Sequence, residues 1–279
     1  MTTSRRTFLR RGLAAAGAVT GFYTWRIEPH WVEFVARPLP VINLPPALSG
    51  KRLVQLSDVH VGPHVDDDYV LGVFDRVRAL APDIVVYTGD FTSWEPDIVP
   101  HARRIYAHAP RGAMATLGIF GNHDYGPGWR YPEYAAALVA PLAEGGIRTL
   151  RNESVDVAGL DIIGLDDWWS KQFRPAEALA HRDRQKPAIV LSHNPDTADL
   201  PGWFGYEGWI LAGHTHGGQC KAPFFDPPFL PVRNRRYTAG EFDLGDGRRL
   251  YINRGLGYHR RVRFNVRPEI TAFTLRRTA

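Results

Sequence analysis

Five short polar blocks carry the side chains that could do chemistry together: Asp58-Val59-His60, Gly89-Asp90, Gly121-Asn122-His123-Asp124, Ser192-His193-Asn194 and Gly213-His214-Thr215-His216. Their donor atoms are all oxygen or nitrogen, a set suited to divalent manganese, zinc or iron. The histidines, two aspartates and one asparagine exceed the three or four protein ligands of a single catalytic zinc, so two ions are implied and one residue must be shared. Asp90 is the natural bridge, because a carboxylate has two oxygens that can each take a metal and Gly89 lets the backbone approach closely. Two cations about 3.5 to 4 Å apart would lower the pKa of a shared water and clamp phosphoryl oxygens during in-line attack. The chemistry expected of the five blocks together is hydrolysis of a phosphoester.

Residues so far apart in sequence need elements that bring them together. Leu53 to Leu56, Ile84 to Tyr87, Thr116 to Phe120, Ala188 to Leu191 and Trp209 to Ala212 are short apolar or β-branched runs ending in turn-forming residues, and each polar block follows one of them. The blocks therefore sit where strands stop. The carboxyl ends of neighbouring strands in an open α/β sheet converge on one crevice, so sequence distance is no obstacle. Helical patterns at Asp67 to Leu80, Val99 to His108 and Tyr131 to Gly145 alternate with these strands and predict a layered α/β fold. Beyond the last block, Pro-rich turns and the strands Arg249 to Asn253 and Glu269 to Leu275 imply a second sheet.

The series of blocks resembles the calcineurin-like metallophosphoesterase superfamily over Lys51 through His216, with all five in order. The resemblance implies a four-layer α/β/β/α sandwich with two mixed β-sheets and the metals at one edge. It assigns Asp58, His60, Asp90 and His216 to the first metal, and Asp90, Asn122, His193 and His214 to the second. His123 is then not a ligand but points at the substrate, protonating the leaving oxygen or stabilising the transition-state charge, with Asp124 orienting it. Such a pairing fits general acid chemistry, because a carboxylate on the far ring nitrogen raises imidazole basicity and fixes its tautomer.

Further along, Gly217-Gly218-Gln219, Asn253-Arg254-Gly255-Leu256-Gly257, Arg263-Phe264-Asn265 and Arg267-Pro268-Glu269-Ile270 resemble a branch of bacterial membrane- or wall-associated phosphoesterases that includes UDP-diacylglucosamine pyrophosphatases of lipid A synthesis. Arg254 or Arg263 could hold a substrate phosphate by a bidentate contact. In Gly164-Leu165-Asp166-Asp167-Trp168-Trp169, the indoles offer flat faces to a base, a sugar or an acyl chain, and Asp166 could accept a hydrogen bond from a ligand histidine. Asp166, Trp168, Arg254 and Arg263 are thus the candidate substrate contacts. His64, His101, His108, His181 and His259 lack motif context and read as exposed or structurally satisfied. Phe224-Phe225-Asp226-Pro227-Pro228-Phe229-Leu230 could dip towards lipid, but reads better as a packed loop, since exposed aromatic patches are the exception.

At the N-terminus, Ser4-Arg5-Arg6-Thr7-Phe8-Leu9-Arg10 followed by the uncharged stretch Gly12 to Trp25 matches a twin-arginine export signal. That stretch is about 14 residues, short of the roughly 20 that span a bilayer. No small-x-small cleavage site closes it, so removal and retention as an anchor both stay open. The expected organisation is a signal or anchor over 1–27, an extended lead-in over 28–48 whose prolines bar a regular helix, and one metallophosphoesterase domain over 49–279. The expected location is the periplasm, the cell wall or the outer face of the cytoplasmic membrane, reached through the twin-arginine translocase.

Composition bounds the rest. With 44% hydrophobic residues in 279, the chain can bury the core of one large α/β domain, and its single cysteine, Cys220, permits no intramolecular disulfide. The net charge of +5 comes without an aromatic-interleaved basic platform, so anionic lipid headgroups or wall polymers are better expected partners than nucleic acid. The substrate expected is a phosphomonoester, phosphodiester or pyrophosphate, possibly lipid- or nucleotide-linked, with the branch favouring the last two. Against these stand a lipid A enzyme on the cytoplasmic face and a surface protein that binds metal without turnover.

Overall fold

The computed structural model describes residues 5–278. Two six-stranded mixed sheets face each other. The first runs in the order β1 (Glu33–Ile42), β12 (Glu269–Thr278), β2 (Arg52–Leu56), β3 (Ile84–Thr88), β4 (Ala115–Ile119), β5 (Arg148–Thr149). The second runs β10 (Gly240–Asp243), β11 (Arg248–Ile252), β9 (Gly208–Ala212), β8 (Ala188–Leu191), β7 (Leu160–Gly164), β6 (Glu153–Val157). Within the first sheet β2, β3 and β4 are parallel neighbours, and within the second β7, β8 and β9 are. β3 and β8 are buried along their whole length, as parallel strands covered on both faces must be.

Three apolar layers hold the sheets. Between them, Leu53, Ile84, Val86 and Leu117 of the first meet Ile162, Ile189, Leu191 and Leu211 of the second. On the outer face of the first sheet lie α2 (Asp67–Ala79), α3 (Ile98–Tyr106) and α4 (Pro132–Glu144). α2 buries Val70, Val73, Phe74 and Val77, the i, i+3, i+4, i+7 stripe of a helix lying on a sheet. Asp67 and Asp68 in its first turn and Arg76 and Arg78 in its last complement the helix dipole. The layer outside the second sheet is thin, made of α5 (Pro175–Leu179) and loops around Trp203, Tyr206 and Tyr237.

The expected strands and helices fall within three residues of those observed, but the sheet membership differs from expectation in two respects. The second sheet is not assembled only from C-terminal strands: β8 and β9 carry two of the five polar blocks, so the blocks come from two facing sheets rather than from one. The extended segment over 28–48 does not lead into the domain but belongs to it. β1 pairs in parallel with β12 along ten residues, and Leu39 and Val41 point into the core. Its Pro38 and Pro40 are tolerated because β1 is an edge strand, where a missing N–H need not break a ladder.

α1 (Arg5–Phe22) has exposed side chains along nearly all its length, continues into one π-helical turn over Tyr23–Ile27, and gives way to a packed chain at Glu28. The Glu28 carboxylate is buried and accepts the Val266 N–H at 2.6 Å. Ser4 of the twin-arginine pattern lies outside the described residues. No helix among the described residues is long and apolar enough to cross a membrane.

A buried polar network ties the two sheets at their C-terminal strands. Glu269 at the start of β12 accepts from Tyr251 on β11 at 2.6 Å, from Thr271 at 2.6 Å and from Arg254 Nε at 2.5 Å, while Asn253 donates to Thr271 at 2.8 Å. Removing the carboxylate would leave Arg254 with Glu33 as its one carboxylate partner and take the acceptor from the buried Tyr251 and Thr271 hydroxyls. Glu269→Ala is expected to lower stability by about 3 to 5 kcal/mol, read as a shift of the denaturant midpoint, with Glu269→Gln losing less.

Candidate metal centre

All seven predicted ligands meet where β2, β3 and β4 of one sheet and β8 and β9 of the other end. Asp58 and His60 follow β2, Asp90 follows β3, Asn122 follows β4, His193 follows β8, and His214 and His216 follow β9. All seven are buried. Two groups form, Asp58 with His60 and His216, and Asp90 with His193 and His214, each with its ligand atoms within 4.8 Å of one another. In the first, His216 Nε2 lies 3.2 Å from Asp58 Oδ1 and 3.1 Å from His60 Nε2. In the second, His193 Nε2 lies 3.2 Å from each of Asp90 Oδ2, Asn122 Oδ1 and His214 Nδ1. Asp90 Oδ2 also stands 3.5 Å from His60 Nε2, so one oxygen faces both groups. The other, Oδ1, accepts the His123 backbone N–H at 2.9 Å. Asp90 thus stands between the two groups, where its carboxylate could be shared by two cations.

The backbone is strained to make this possible. Asp58, His60, Asp90, His214 and His216 all have φ between 49° and 71°, a left-handed conformation that non-glycine residues adopt only when the surroundings impose it. Consecutive loops are stitched together: Asp58 N–H donates to Gly89 O at 2.9 Å, His60 N–H to Asp90 O at 3.1 Å, and Gly213 N–H to His193 O at 3.0 Å. Close approach accounts for two glycines. A Cβ on Gly89, whose φ is 94°, would stand 2.5 Å from His193 Nδ1, and a Cβ on Gly213 would stand 2.3 Å from Asp58 Oδ2.

Ring orientation is fixed from behind. His193 Nδ1 donates to Thr88 O at 2.8 Å and His214 Nε2 to Pro231 O at 2.8 Å, and His60 Nδ1 bonds Ser93 Oγ at 3.0 Å. Each leaves its other nitrogen facing the cluster, the arrangement that sets the tautomer of a ligating imidazole. Asp58 is held by the Ser57 hydroxyl at 2.5 Å and the His214 backbone N–H at 3.1 Å. Two imidazole nitrogens facing each other can share at most one proton, and Asn122 turns its oxygen inward while its Nδ2 is buried without a partner. A cation in each group would satisfy these lone pairs together. The residues present fit a dinuclear centre.

The charges follow from burial and crowding. Burial works against ionised Asp58 and Asp90, but His216 beside the first and His193 beside the second outweigh it and hold both carboxyls below their usual range. Burial depresses His60, and it lowers His214 to about 3 with help from His193. At His193 burial is outweighed by Asp90, which lifts it to about 10. Asp124 and Asp167 are each pushed up to about 7, chiefly by burial.

The other predicted site residues fare less evenly. The half-buried His123 ring stands edge-on to His60, with centroids 4.9 Å apart, at the mouth of the centre. Asp124 does not orient it. Its carboxylate accepts the N–H groups of Phe91, Thr92 and Gly121 and the Thr92 hydroxyl, so it braces the loop that carries Asp90. Asp166 is not a partner of a ligand histidine: it is buried against the Tyr125 hydroxyl and Arg151, the latter at 2.8 Å. Arg254 is engaged by Glu33 at 3.2 Å and by Glu269. Arg263 is wholly buried and donates to the carbonyls of Arg254, Gly255, Gly257 and Val266, so it shapes the loop beside the metals and cannot meet a phosphate. Trp168 carries the Arg233 guanidinium 4.8 Å over its ring. Its neighbour Trp169 instead abuts His214, with centroids 4.4 Å apart, and Trp129 at 4.6 Å.

Trp129 was not singled out from sequence; Asp167 and Trp169 were noted only within the stretch around Asp166 and Trp168, and His259 only as a histidine without motif context. Trp129 follows the Asn-His-Asp block by a few residues, and that proximity was the available signal. The phase of the turn decides that Trp169 rather than Trp168 faces the metals, and sequence does not give it. His259, exposed and 5.5 Å from the His123 ring, is placed by the loop that Arg263 holds. His101 is satisfied structurally, bonded to Asp67 at 2.8 Å and to Glu95 at 2.5 Å.

Residues 51–218 match the model of the calcineurin-like phosphoesterase family. The chain is 33% identical to the uncharacterized metallophosphoesterase YkuE of Bacillus subtilis, aligned over 99% of this chain and 98% of that protein. It is 30% identical to the phosphodiesterase YaeI of Escherichia coli over 98% and 99% of the two chains. It is 31% identical to the UDP-2,3-diacylglucosamine pyrophosphatase LpxG of Chlamydia trachomatis over 92% and 93%. The chain belongs to the calcineurin-like phosphoesterase family and is a metallophosphoesterase, a hydrolase of phosphoester bonds with a two-cluster metal site.

Because its pKa is raised, His193 in the metal-free protein keeps its proton at neutral pH and loses it only as pH approaches about 10. Metal binding must displace that proton. Affinity at the Asp90, His193, His214 group is therefore expected to rise with pH through the neutral range, by about tenfold per unit. Titration calorimetry of the chelated protein with manganese in buffers of different ionisation enthalpy should show about one proton released; release of none would contradict the protonated state.

Proposed function

We propose that this chain hydrolyses a phosphodiester or pyrophosphate bond with two divalent cations, manganese, zinc or iron, and with His123 as proton donor to the leaving oxygen, after export by the twin-arginine route. The observation that carries the catalytic reading is Asp90 Oδ2 facing both ligand groups, with the His123 ring at the open side of the same cluster. Asp58, His60, Asp90 and His216 would hold one cation, and Asp90, Asn122, His193 and His214 the other. Bound there, the pair supplies Lewis acidity towards phosphoryl oxygens and lowers the pKa of water.

The chain's own residues supply the rest. His123 is fixed at its backbone by Asp90 Oδ1, so the residue that bridges the ligand groups also positions the proton donor. No carboxylate among the described residues pairs with its ring. The ring is flanked instead by Trp129 at 6.2 Å and His259 at 5.5 Å. Trp129 and Trp169 wall the side next to His214, where they exclude water and offer flat faces to the part of the substrate beyond the phosphoryl group.

Export is supported by the arginine pair opening α1 and by the placement of that helix outside the packed domain, which is held from Glu28 onward. Removal or retention of α1 would leave the domain intact either way. A lipid A type pyrophosphatase activity at the membrane is the second reading, favoured by the likeness to LpxG. Fractionation of a tagged copy against one with Arg5→Lys and Arg6→Lys tests export: equal recovery of both outside the cytoplasm would refute it.

Chelated protein is expected to regain hydrolysis of bis-p-nitrophenyl phosphate on addition of manganese or zinc, and p-nitrophenyl phosphate and a UDP-linked pyrophosphate assayed beside it rank the ester classes. His123→Ala should keep both metals by elemental analysis while turnover falls about 10²- to 10⁴-fold. Asp90→Ala should lose metal as well. Wild-type turnover by metal-replete Asp90→Ala would sink the shared-ligand assignment.

A further inference from the structure

Within Phe224 to Leu230 the three phenylalanines do not pack, contrary to expectation, although Pro227 does. Phe224, Phe225 and Phe229 are 103%, 70% and 83% exposed, far beyond what a soluble surface needs. Yet the loop is firmly based at both ends. It springs from the last metal block, where Gly218 lies against Pro227 so closely that a Cβ there would stand 2.2 Å from the proline ring. It returns at Pro231, whose carbonyl accepts the Nε2 proton of His214 at 2.8 Å. Pro223, Pro227, Pro228 and Pro231 stiffen it further. A rigid, apolar tip thus stands beside the two cation groups, tied to one of the ligands.

Other features share that surface. Phe264 accepts from Lys221 N–H at 2.9 Å and donates to Gln219 O at 2.9 Å, while the adjacent Arg263 N–H donates to Thr24 O at 3.0 Å. The end of α1, with exposed Phe22 and Trp25, and the base of the Phe loop therefore flank one short segment. The basic side chains are placed to match. Lys221, Arg233, Arg235 and Arg236 stand against the single acid Asp226 between residues 219 and 236, and exposed Arg26 and Arg260 flank the other side. Arg235 donates to the Pro227 carbonyl at 2.8 Å, which keeps its charge at the foot of the tip.

From this juxtaposition we infer that the Phe224–Phe229 tip and the end of α1 form one docking face that inserts into an anionic lipid bilayer and sets the metal centre at the headgroup level. Aromatic side chains on a rigid tip ringed by arginines suit the acyl boundary and the phosphate layer above it. The inference deepens the hydrolytic reading, since a centre held there would meet phosphoesters of lipid-linked molecules, but its test does not depend on turnover.

A nitroxide at Phe225→Cys in a Cys220→Ser full-length chain reports on the tip itself, with Asp75→Cys on α2 as the control site. On adding phosphatidylethanolamine and phosphatidylglycerol vesicles, the label at 225 is expected to become shielded from a water-soluble relaxant and accessible to oxygen, while the label at 75 is unchanged. The combined Phe224→Ser, Phe225→Ser and Phe229→Ser chain should bind these vesicles at least about tenfold more weakly and should hydrolyse bis-p-nitrophenyl phosphate in solution as the parent does. A label at 225 that stays as accessible as that at 75 in the vesicle-bound chain would overturn the proposal. So would shielding that appears without vesicles as protein concentration rises, which would assign the face to a second copy of the chain. Insertion of the label in a protein without metal-restored turnover would uphold the docking face and remove the hydrolytic reading alone.

Discussion

Two carboxylates and four imidazoles buried side by side would not choose each other's company. Imidazole nitrogens crowded inward compete for few protons, and each buried carboxylate is expensive unless a cation faces it. The fold is arranged to impose this crowding. Five of the ligands sit in left-handed backbone conformations, three imidazoles are pinned from behind, and glycines stand where any side chain would collide with His193 or Asp58. Strain of this kind is stored where something outside the polypeptide repays it, and a pair of divalent cations is what this donor set can hold.

Asp90 concentrates the demand. Its Oδ2 faces both ligand groups, its Oδ1 takes the backbone N–H of His123, and its carbonyl takes that of His60. Asp124, buried beneath, braces the same loop through the N–H groups of Phe91 and Thr92. One short turn after β3 therefore fixes Asp90, His60 and the backbone of the proposed proton donor His123 together. Two facing sheets are what make that turn a meeting point, because β2, β3 and β4 bring their ends from one side and β8 and β9 from the other.

The convergence of the seven candidate ligands, the strands that carry them and the helices between were legible in the sequence because each signal is local: a polar block directly after an apolar run, an i, i+3, i+4 stripe in α2. What failed depended on contacts between distant residues. Arg254 and Arg263 look like phosphate binders when read alone, and only the fold shows Glu33, Glu269 and a ring of carbonyls already holding them. Asp124 follows His123 in sequence, but the turn points its carboxylate at the neighbouring loop. Trp168 and Trp169 are indistinguishable until the turn is known. The segment over 28–48 is extended at β1, between short 3₁₀ turns at Glu28–His30 and Pro46–Leu48, while its pairing with β12, nearly the whole chain away, had no local signature.

The exposed Phe loop was misjudged for a different reason. A packed loop is the better expectation for an apolar stretch in a protein surrounded by water, and the proposed docking face is what would remove that premise. Its two ends are rooted in the metal block and at the Pro231 carbonyl that holds His214, so an apolar tip could not be relieved by folding back without moving a ligand. Rigidity at the metal centre and exposure at the tip are thus one constraint seen from two ends. A chain that keeps three aromatic rings in water at that cost is better understood as shaped for a surface that removes them from it.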